Sequence, residues 1–336
     1  MSRRPADRSL LWDDFKHGFT VDSPSAKWYT FAAGPFAASD GIAATSPDGL
    51  SVVSPGTNPQ TGQPAFTKTV AQEDQNGGLP GGLDHVKFLV FANNTASSGV
   101  PGFDAAPGQV LSFKTRLNGA SAGNAQHPFG AAAVTDPDDD LRLAAYTFNC
   151  IDNENFMVFD TFLTNKRVYA FYERLPTGRG SLGNYAAFSY AIPIGARSGW
   201  EHIRLAYDKS AGTVTWHLNG RCVFQVTRIG HRIDRRFMLL DHGGTEQRVS
   251  PRQLNPGYGL FTLLDGQSNG TGLARLSNAA SFYFDPRYGQ PTPETFLDDH
   301  STAASRLWGQ GAALQAQRLI VTSRPDDHDE AEIPAS

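Results

Sequence analysis

Long apolar runs and cysteine are both scarce in this chain of 336 residues. No segment approaches the roughly 20 apolar residues of a membrane-spanning helix. The N-terminal sequence, MSRRPADRSLLWDDF, lacks the apolar core of a secretory signal peptide. We therefore expect a cytoplasmic protein without a membrane partner. Cys150 and Cys222 each fall within a predicted strand, which favours a small buried side chain; a disulfide between them is possible but not required.

The chain also has no excess of basic over acidic residues. The formal net charge is −4 and the isoelectric point is about 6.1, so we expect no nucleic-acid partner. Hydrophobic residues make up 40% of the chain, and aromatics make up 11%, which is enough to form a core. The 34 glycines and 21 prolines indicate many turns, as an all-β chain requires.

Motifs for cofactor chemistry are missing as well. The nine histidines form no HExxH pattern, and there is no Gly-x-Ser-x-Gly elbow, no P-loop and no EF-hand loop. The glycine-rich segment 77–83 lacks the Lys-Ser/Thr pair of a phosphate-binding loop. The sequence therefore predicts no cofactor.

The segment 200–226, WEHIRLAYDKSAGTVTWHLNGRCVFQV, is the most informative one present. It predicts three short strands joined by two tight turns, because apolar and polar residues alternate on either side of 208–212 and of Asn219-Gly220. Asn-Gly is a strong hairpin signal, since both central residues of a type I′ turn need positive φ.

These motifs carry a family resemblance. The run from Trp200 through the Asn219-Gly220 turn, together with the opening DDF at 13–15 and Trp28, resembles the concanavalin A-like lectins and glucanases. The resemblance implies an all-β, concanavalin A-like jelly-roll β-sandwich. Retaining glucanases of that class use a Glu-x-Asp-x-(x)-Glu motif, which this chain lacks; Asp152-Asn153-Glu154 is the nearest fragment. The whole chain also resembles an uncharacterised family of actinomycetes and fungi.

Four regions are predicted along the chain. Residues 1–10 form a flexible arm and residues 11–290 form the sandwich. Residues 291–320 form a helical appendage, because 293–317 is rich in alanine, and residues 321–336 form an acidic disordered tail. The long connections 54–64, 72–84 and 92–108 are predicted rims or lids over one mouth of the sandwich.

The candidate site lies on a predicted hairpin, NFMVFDTFLT–NK–RVYAFYERL. If Asn165-Lys166 is a two-residue turn, Asp160 and Glu173 become diagonal neighbours on one face. A three-residue loop would place them on opposite faces. That face would also carry large aromatic side chains and Val158, and the aromatic members are Phe156, Phe162, Tyr169 and Phe171.

Two carboxyl groups on an aromatic face favour acid/base chemistry, because burial and a nearby like charge hold one of them protonated. We assign Asp160 and Glu173 as catalytic candidates. Substrate-binding candidates are the four aromatic residues of that face, with Tyr172 and Arg174 from the opposite face. The alternative is structural: two solvated charges, or a carboxylate paired with Arg174 or Arg142.

A weaker candidate is the acidic run 136–140. Asp136, Asp138 and Asp140 offer the oxygen ligands that Ca²⁺ prefers, so a structural calcium ion is one hypothesis. An acidic surface turn is the other.

Three functions stay open at this point. The first is an intracellular, cofactor-independent isomerase, cyclase or lyase acting on an apolar small molecule of specialised metabolism. The second is a carbohydrate-binding or glycoside-hydrolysing protein that uses the concave face of the sandwich. The third is a non-catalytic interaction module.

Overall fold

The computed structural model describes residues 8–33, 36–68, 86–268, 272–274 and 306–325. These residues form two large antiparallel sheets of nine strands each and two small two-stranded sheets. The large sheets pack face to face, so the predicted all-β, jelly-roll-like sandwich is confirmed.

The strands are numbered in chain order. They are β1 (Arg8–Asp13), β2 (Trp28–Thr30), β3 (Ala32–Ala33), β4 (Phe36–Ala37), β5 (Ile42–Ser46), β6 (Gly49–Val53), β7 (Gly56–Thr57), β8 (Pro64–Ala65), β9 (Val86–Ala92), β10 (Phe103–Asp104), β11 (Val110–Ala122), β12 (Ala145–Asp152), β13 (Met157–Leu163), β14 (Arg167–Arg174), β15 (Phe188–Ala196), β16 (Glu201–Asp208), β17 (Thr213–Leu218), β18 (Arg221–Val226), β19 (Met238–Asp241), β20 (Gln253–Phe261), β21 (Gly311–Ala316) and β22 (Leu319–Arg324). Among the elements bounded within the described residues, a short helix, α1, spans Arg179–Leu182, and 3-10 turns occur at Asn124–Gln126, Pro176–Gly178 and Arg235–Phe237.

Sheet A has the order β18-β17-β16-β11-β21-β6-β5, with β22 and β1 attached beside β11. The long strand β11 makes this branching possible: its first part, from Val110 to Lys114, pairs with β22, and its second part, from Leu117 to Ala122, pairs with β21. Sheet B has the order β19-β15-β14-β13-β12-β20-β9-β2, and β10 pairs with β20.

The main core lies between the two sheets. Alternating residues of β17 show how it forms: Val214, Trp216 and Leu218 are buried, while the residues between them are partly exposed. Tyr172 of β14 and Phe113 of β11 are among the residues of the two sheets that pack in this core. The period-two pattern of both sheets therefore places one apolar face of each sheet in the core.

The hairpin predicted at Asn219-Gly220 is confirmed. Asn219 has φ 51° and Gly220 has φ 79°, the positive values that a type I′ turn requires. The three predicted strands of that segment correspond to β16, β17 and β18.

The C-terminal helical prediction is wrong where the structure describes the chain beyond residue 310. Gly311–Ala316 is strand β21, paired with β11 on one side and β6 on the other. Ala312, Leu314 and Ala316 are buried, so a period-two pattern of small residues fills the core. Alanine favours helices in isolation, and sheet pairing on both sides overrides that preference. Residues 293–305 lie outside the described residues.

The predicted boundaries of the arm and the tail also need correction. Residues Arg8 to Leu10 belong to β1, which pairs with β22, so part of the predicted arm is strand. Strand β22 continues to Arg324 inside sheet A, which shortens the predicted tail; residues 326–336 lie outside the described residues. Both cysteines are free, Cys150 buried and Cys222 exposed. Among the described residues, no helix has the length and apolarity needed to cross a membrane.

Candidate functional site

The register of the β13–β14 hairpin is the one predicted for a two-residue turn. Phe162 pairs with Tyr169, Asp160 with Phe171, and Val158 with Glu173. Asp160 and Glu173 are therefore diagonal neighbours on one face. Because the alternate residues of both strands lie in the inter-sheet core, this is the outer face of sheet B.

Phe156 does not join that face. It precedes β13 in the turn that follows Asp152, and its φ of 60° is left-handed, so the strand alternation does not extend to it. The ring packs against Gly178, where an added Cβ would touch two of its carbon atoms. Phe156 is therefore placed in the turn at the end of the hairpin, which corrects its predicted position.

Tyr172 and Arg174 do not meet the carboxyl pair either. Both lie on the inward face of β14, and Tyr172 has no exposed surface. The Tyr172 hydroxyl donates to the carbonyl oxygen of His231 at 3.0 Å and accepts from the amide of Gly230 at 2.8 Å. The guanidinium of Arg174 lies over the ring of Tyr185, 3.8 Å from its centroid. Neither side chain belongs to a site on the outer face.

The aromatic residues of the outer face pack on one another. Ring centroids are 4.5 Å apart for Phe162 and Phe171, and 5.2 Å apart for Phe162 and Phe261. Phe162 and Phe171 are only 1% and 3% exposed, so these rings form a second apolar cluster. They form an apolar wall on the face that carries the carboxyl pair and do not present open faces for stacking.

Tyr169 lies in the same cluster and has its hydroxyl occupied. The hydroxyl donates to Oδ1 of Asp139 at 2.9 Å. Burial raises the pKa of the Tyr169 phenol, and the charge of Asp139 raises it further. Tyr169 therefore fixes the acidic segment 136–140 against sheet B.

The side chain of Asp160 supplies a hydrogen-bond acceptor where the backbone pairing between β12 and β13 is interrupted. Strands β12 and β13 keep a constant register but have no paired residues at Asn149 and Cys150. The carboxylate of Asp160 accepts from the amide of Cys150 at 2.7 Å and from Nδ2 of Asn149 at 2.5 Å. Burial raises the pKa of the Asp160 carboxyl well above its ordinary value. The two hydrogen bonds lower that pKa, and the charge of Glu173 raises it again.

A row of polar side chains crosses four strands here. The Thr147 hydroxyl donates to Oδ1 of Asn149 at 2.5 Å, and Asn149 in turn donates to Asp160. On the other side of the pair, the hydroxyl of Ser189 donates to Oε1 of Glu173. Sequence reasoning missed Thr147, Asn149 and Ser189. The signal was present in strand β12, AYTFNCID, where two polar residues stand two apart within an apolar run.

The exposure of the two carboxyl groups differs. Asp160 is 4% exposed, whereas Glu173 is half-buried. A molecule outside sheet B therefore reaches the pair through Glu173. The arrangement can hold a proton on the inner carboxyl while the outer one meets a ligand, which is the division of roles that acid/base chemistry needs.

The acidic run does not assemble as a metal site. Each of its three candidate carboxylates is engaged by a different side chain. The partners are Lys166 at 2.7 Å for Asp136, Asn165 at 2.9 Å for Asp138, and Arg142 at 2.6 Å for Asp140. Within the described ranges, no group of three or more His, Cys, Asp or Glu residues is placed to hold a metal ion. The run forms a turn beside sheet B in which each of these three carboxylates has a side-chain partner.

Asp152 and Glu154 also have structural partners. Asp152 accepts from the amide of Glu154 at 3.0 Å and from Nδ2 of Asn155 at 2.7 Å, which closes the turn after β12. Glu154 forms an ion pair with Arg252. These carboxylates hold the turn in place.

Solved structures similar to this chain include polysaccharide-degrading enzymes. An endo-1,3-beta-glucanase from Streptomyces sioyaensis has a TM-score of 0.44 and 12% identity, with 96% of this chain and 99% of that one covered. A beta-glucanase from Bacillus licheniformis has a TM-score of 0.36 and 7% identity, with 95% and 99% covered. Similarity of this degree says nothing about activity.

An uncharacterised protein of Acanthamoeba polyphaga mimivirus is 31% identical over 258 residues, which cover 60% of this chain. The chain spans 56% of the length of that viral relative. The sequence profile described as "Family of unknown function (DUF6081)" matches residues 12–325. The match runs from the last residues of β1 to the end of β22, and the chain belongs to this family.

Proposed function

We propose that this protein is an acid/base enzyme acting on carbohydrates, with Asp160 and Glu173 as its reacting carboxyl groups. The observation that carries the proposal is the pairing of a buried carboxyl with a half-buried one on the outer face of sheet B. Hydrolysis of a glycosidic bond requires two carboxyl groups in different protonation states.

The spacing suits that reaction. Diagonal neighbours in an antiparallel pair have backbones roughly 7–8 Å apart. Carboxyl groups about 5–5.5 Å apart serve a retaining reaction, and groups about 6.5–9.5 Å apart serve an inverting one. The register places Asp160 and Glu173 at this diagonal spacing, and the separation of their carboxyl groups would decide between the two reactions.

The roles follow from burial. Glu173 is the group that a substrate meets first, and Ser189 orients one of its oxygens. Asp160 holds its proton beside Glu173, because burial favours the neutral form. The Asn149 amide donates to the ionised carboxylate. Reversed, its oxygen would accept a hydrogen bond from the protonated carboxyl, with Thr147 as its second partner in both orientations. In this proposal Asp160 gives its proton to the leaving-group oxygen as the glycosidic bond breaks, and Glu173 takes a proton from the water that forms the new bond.

The proposal is tested with purified full-length protein on a panel of polysaccharides. The panel contains a 1,3-β-glucan, a mixed-linkage β-glucan, κ-carrageenan and alginate, and reducing ends are assayed. We expect activity on one of them, with a loss of at least 100-fold in both Asp160→Asn and Glu173→Gln. Glu154→Gln removes a carboxylate paired with Arg252 outside the site and serves as the matched control. Wild-type rates in both pair variants, or no activity on any polymer, would refute the proposal.

A second candidate function is acid/base isomerisation or cyclisation of an apolar small molecule. The observation that favours it is the apolar wall of Phe162 and Phe171 beside Asp160. A thermal-shift screen separates the two candidates, because a ligand that binds only the folded state raises the melting temperature. A shift with terpenoid-like compounds and none with oligosaccharides would favour the second candidate.

A further inference from the structure

Arg174 is a buried cation without a hydrogen-bond partner at two of its nitrogen atoms. The residue is 3% exposed, and its buried Nε and Nη1 atoms donate no hydrogen bond to any of the described residues. Its β-sheet neighbours are Met157 and Phe188, both fully buried. A charge in such surroundings is costly unless an opposite charge joins it.

The ring of Tyr185 holds the guanidinium in place. The ring centroid is 3.8 Å from the Arg174 guanidinium and 5.8 Å from that of Arg179. The Tyr185 hydroxyl is engaged on both sides, donating to the carbonyl of Leu175 at 2.6 Å and accepting from the amide of Gly178 at 3.0 Å. Tyr185 therefore orients the Arg174 cation through its π face and gives it no counter-charge.

Among the described residues no acidic side chain forms an ion pair with Arg174, although the charge of Asp152 favours its charged form. In the same part of the chain, Arg179 donates to the carbonyl oxygens of Tyr185, His242 and Gly243. The nearby Asp241 is bound by Arg232 through two hydrogen bonds of 2.8 and 2.7 Å. Asp152 lies on the same sheet row as Arg174, with Met157 on the strand between them, and it makes no ion pair with Arg174 within the described part of the chain.

We infer that Arg174 is the anchor of a binding site for a small oxyanion, a carboxylate or phosphate group carried by a ligand. A guanidinium recognises both groups through charge-assisted hydrogen bonds. The site lies at the end of β14, and Tyr185, which covers the guanidinium, directly follows the exposed residues 180–184. Burial lowers the pKa of Arg174, and a bound oxyanion would offset that cost.

This inference is independent of the proposed enzyme site. Glu173 and Arg174 are consecutive residues of a strand, so their side chains lie on opposite faces of sheet B. A negative test of one site therefore does not count against the other.

The test is a thermal-shift titration of the full chain with sodium phosphate, sodium sulfate and sodium citrate, each against sodium chloride at equal ionic strength. We expect at least one oxyanion to raise the melting temperature in proportion to the logarithm of its concentration. In Arg174→Met this rise disappears, while the melting temperature without oxyanion stays equal to or above that of the wild type, because an unpaired buried charge has been removed.

Two further variants make the outcome decisive. Arg252→Gln removes one positive charge that is exposed and paired with Glu154, and it should keep the full response. Arg174→Lys keeps the charge but loses the planar fork, so we expect at least tenfold weaker binding even if Arg174→Met fails to fold. A response to citrate alone identifies a carboxylate ligand, and a response to phosphate alone identifies a phosphate ligand. No oxyanion response in the wild type, or an equal response in both Arg174 variants, would overturn the inference.

Discussion

The indole Nε1 of Trp216 donates a hydrogen bond of 2.8 Å to the backbone carbonyl oxygen of Asp160. Trp216 belongs to sheet A and Asp160 to sheet B, so the bond crosses the core. The bond gives the carbonyl oxygen of Asp160 a donor at the point where strands β12 and β13 have no paired residues. The carboxylate of Asp160 satisfies the amide of Cys150 at the same point. Side chains thus replace backbone partners beneath the candidate site.

Trp216→Phe should destabilise the fold through this contact. Phenylalanine keeps an aromatic ring but leaves the buried carbonyl of Asp160 without a donor, at a cost of about 1–3 kcal/mol, and the smaller ring adds a cavity. Urea unfolding measures the loss in the free energy of unfolding. Trp200→Phe is the control, because Trp200 is partly exposed and contacts Arg116, and its effect should be smaller than about 1 kcal/mol. Equal losses in the two variants would contradict the assigned role.

The pH dependence of stability should change in Asp160→Asn. The folded-state pKa of Asp160 is raised above its ordinary value of 3.8, first by burial. Its contribution to stability is therefore fully present below pH 3.8 and is lost as the pH rises through the folded-state pKa. Relative to Asp160→Asn, the wild type should lose up to about 1.4 kcal/mol per pH unit in that window. Asparagine can replace Asp160 because the side-chain amide of Asn149 can rotate so that its oxygen accepts a hydrogen bond from the new amide group.

Glu154→Gln provides a control of opposite sign. The hydrogen bond from Arg252 is the main cause that lowers the pKa of Glu154 below its ordinary 4.5. Its contribution is present above pH 4.5 and is lost as the pH falls. Urea unfolding from pH 3 to pH 8 should therefore give stability differences that slope in opposite directions for the two variants. Parallel slopes would show that Asp160 ionises normally in the folded state.

The sequence predicts some parts of this site and not others. The alternation within β13 and β14 left two registers open, one for a two-residue turn and one for a three-residue loop. The structure has the two-residue turn, which puts Asp160 and Glu173 on one face. The burial of Phe162 and Phe171 was not predictable, because alternation assigns residues to a face without showing what covers that face. Strand β21 was misread because alanine suits both a helix and a crowded sheet position, and only pairing with β11 and β6 decides between them.

The turn at the end of the hairpin gives a steric prediction. A Cβ on Gly178 would lie 2.8 Å from the hydroxyl of Tyr185 and closer still to the ring of Phe156. Gly178→Ala should therefore destabilise the fold by about 1–3 kcal/mol, because the neighbouring side chains must leave their positions. Gly180→Ala is the matched control two residues away, where no atom lies within 4 Å of an added Cβ. It should be neutral or stabilising by up to about 1 kcal/mol. Comparable destabilisation in both variants, measured by thermal unfolding, would contradict the placement of Phe156.

The two thiols should react at very different rates with an aromatic disulfide reagent. Cys222 is exposed on β18 and Cys150 is fully buried on β12. Burial also raises the pKa of the Cys150 thiol well above its ordinary value, and the charges of Asp160 and Asp152 raise it further, so less of the reactive thiolate forms. We expect one thiol per chain to react at once and the second slowly in native buffer and rapidly in denaturant. Cys222→Ser should remove the fast phase alone. Cys150 lies where strands β12 and β13 have no paired residues. The slow rate of its reaction in native buffer therefore reports how often that part of the sandwich opens. Two fast thiols in the native protein would show that the region beneath the carboxyl pair is open to solvent.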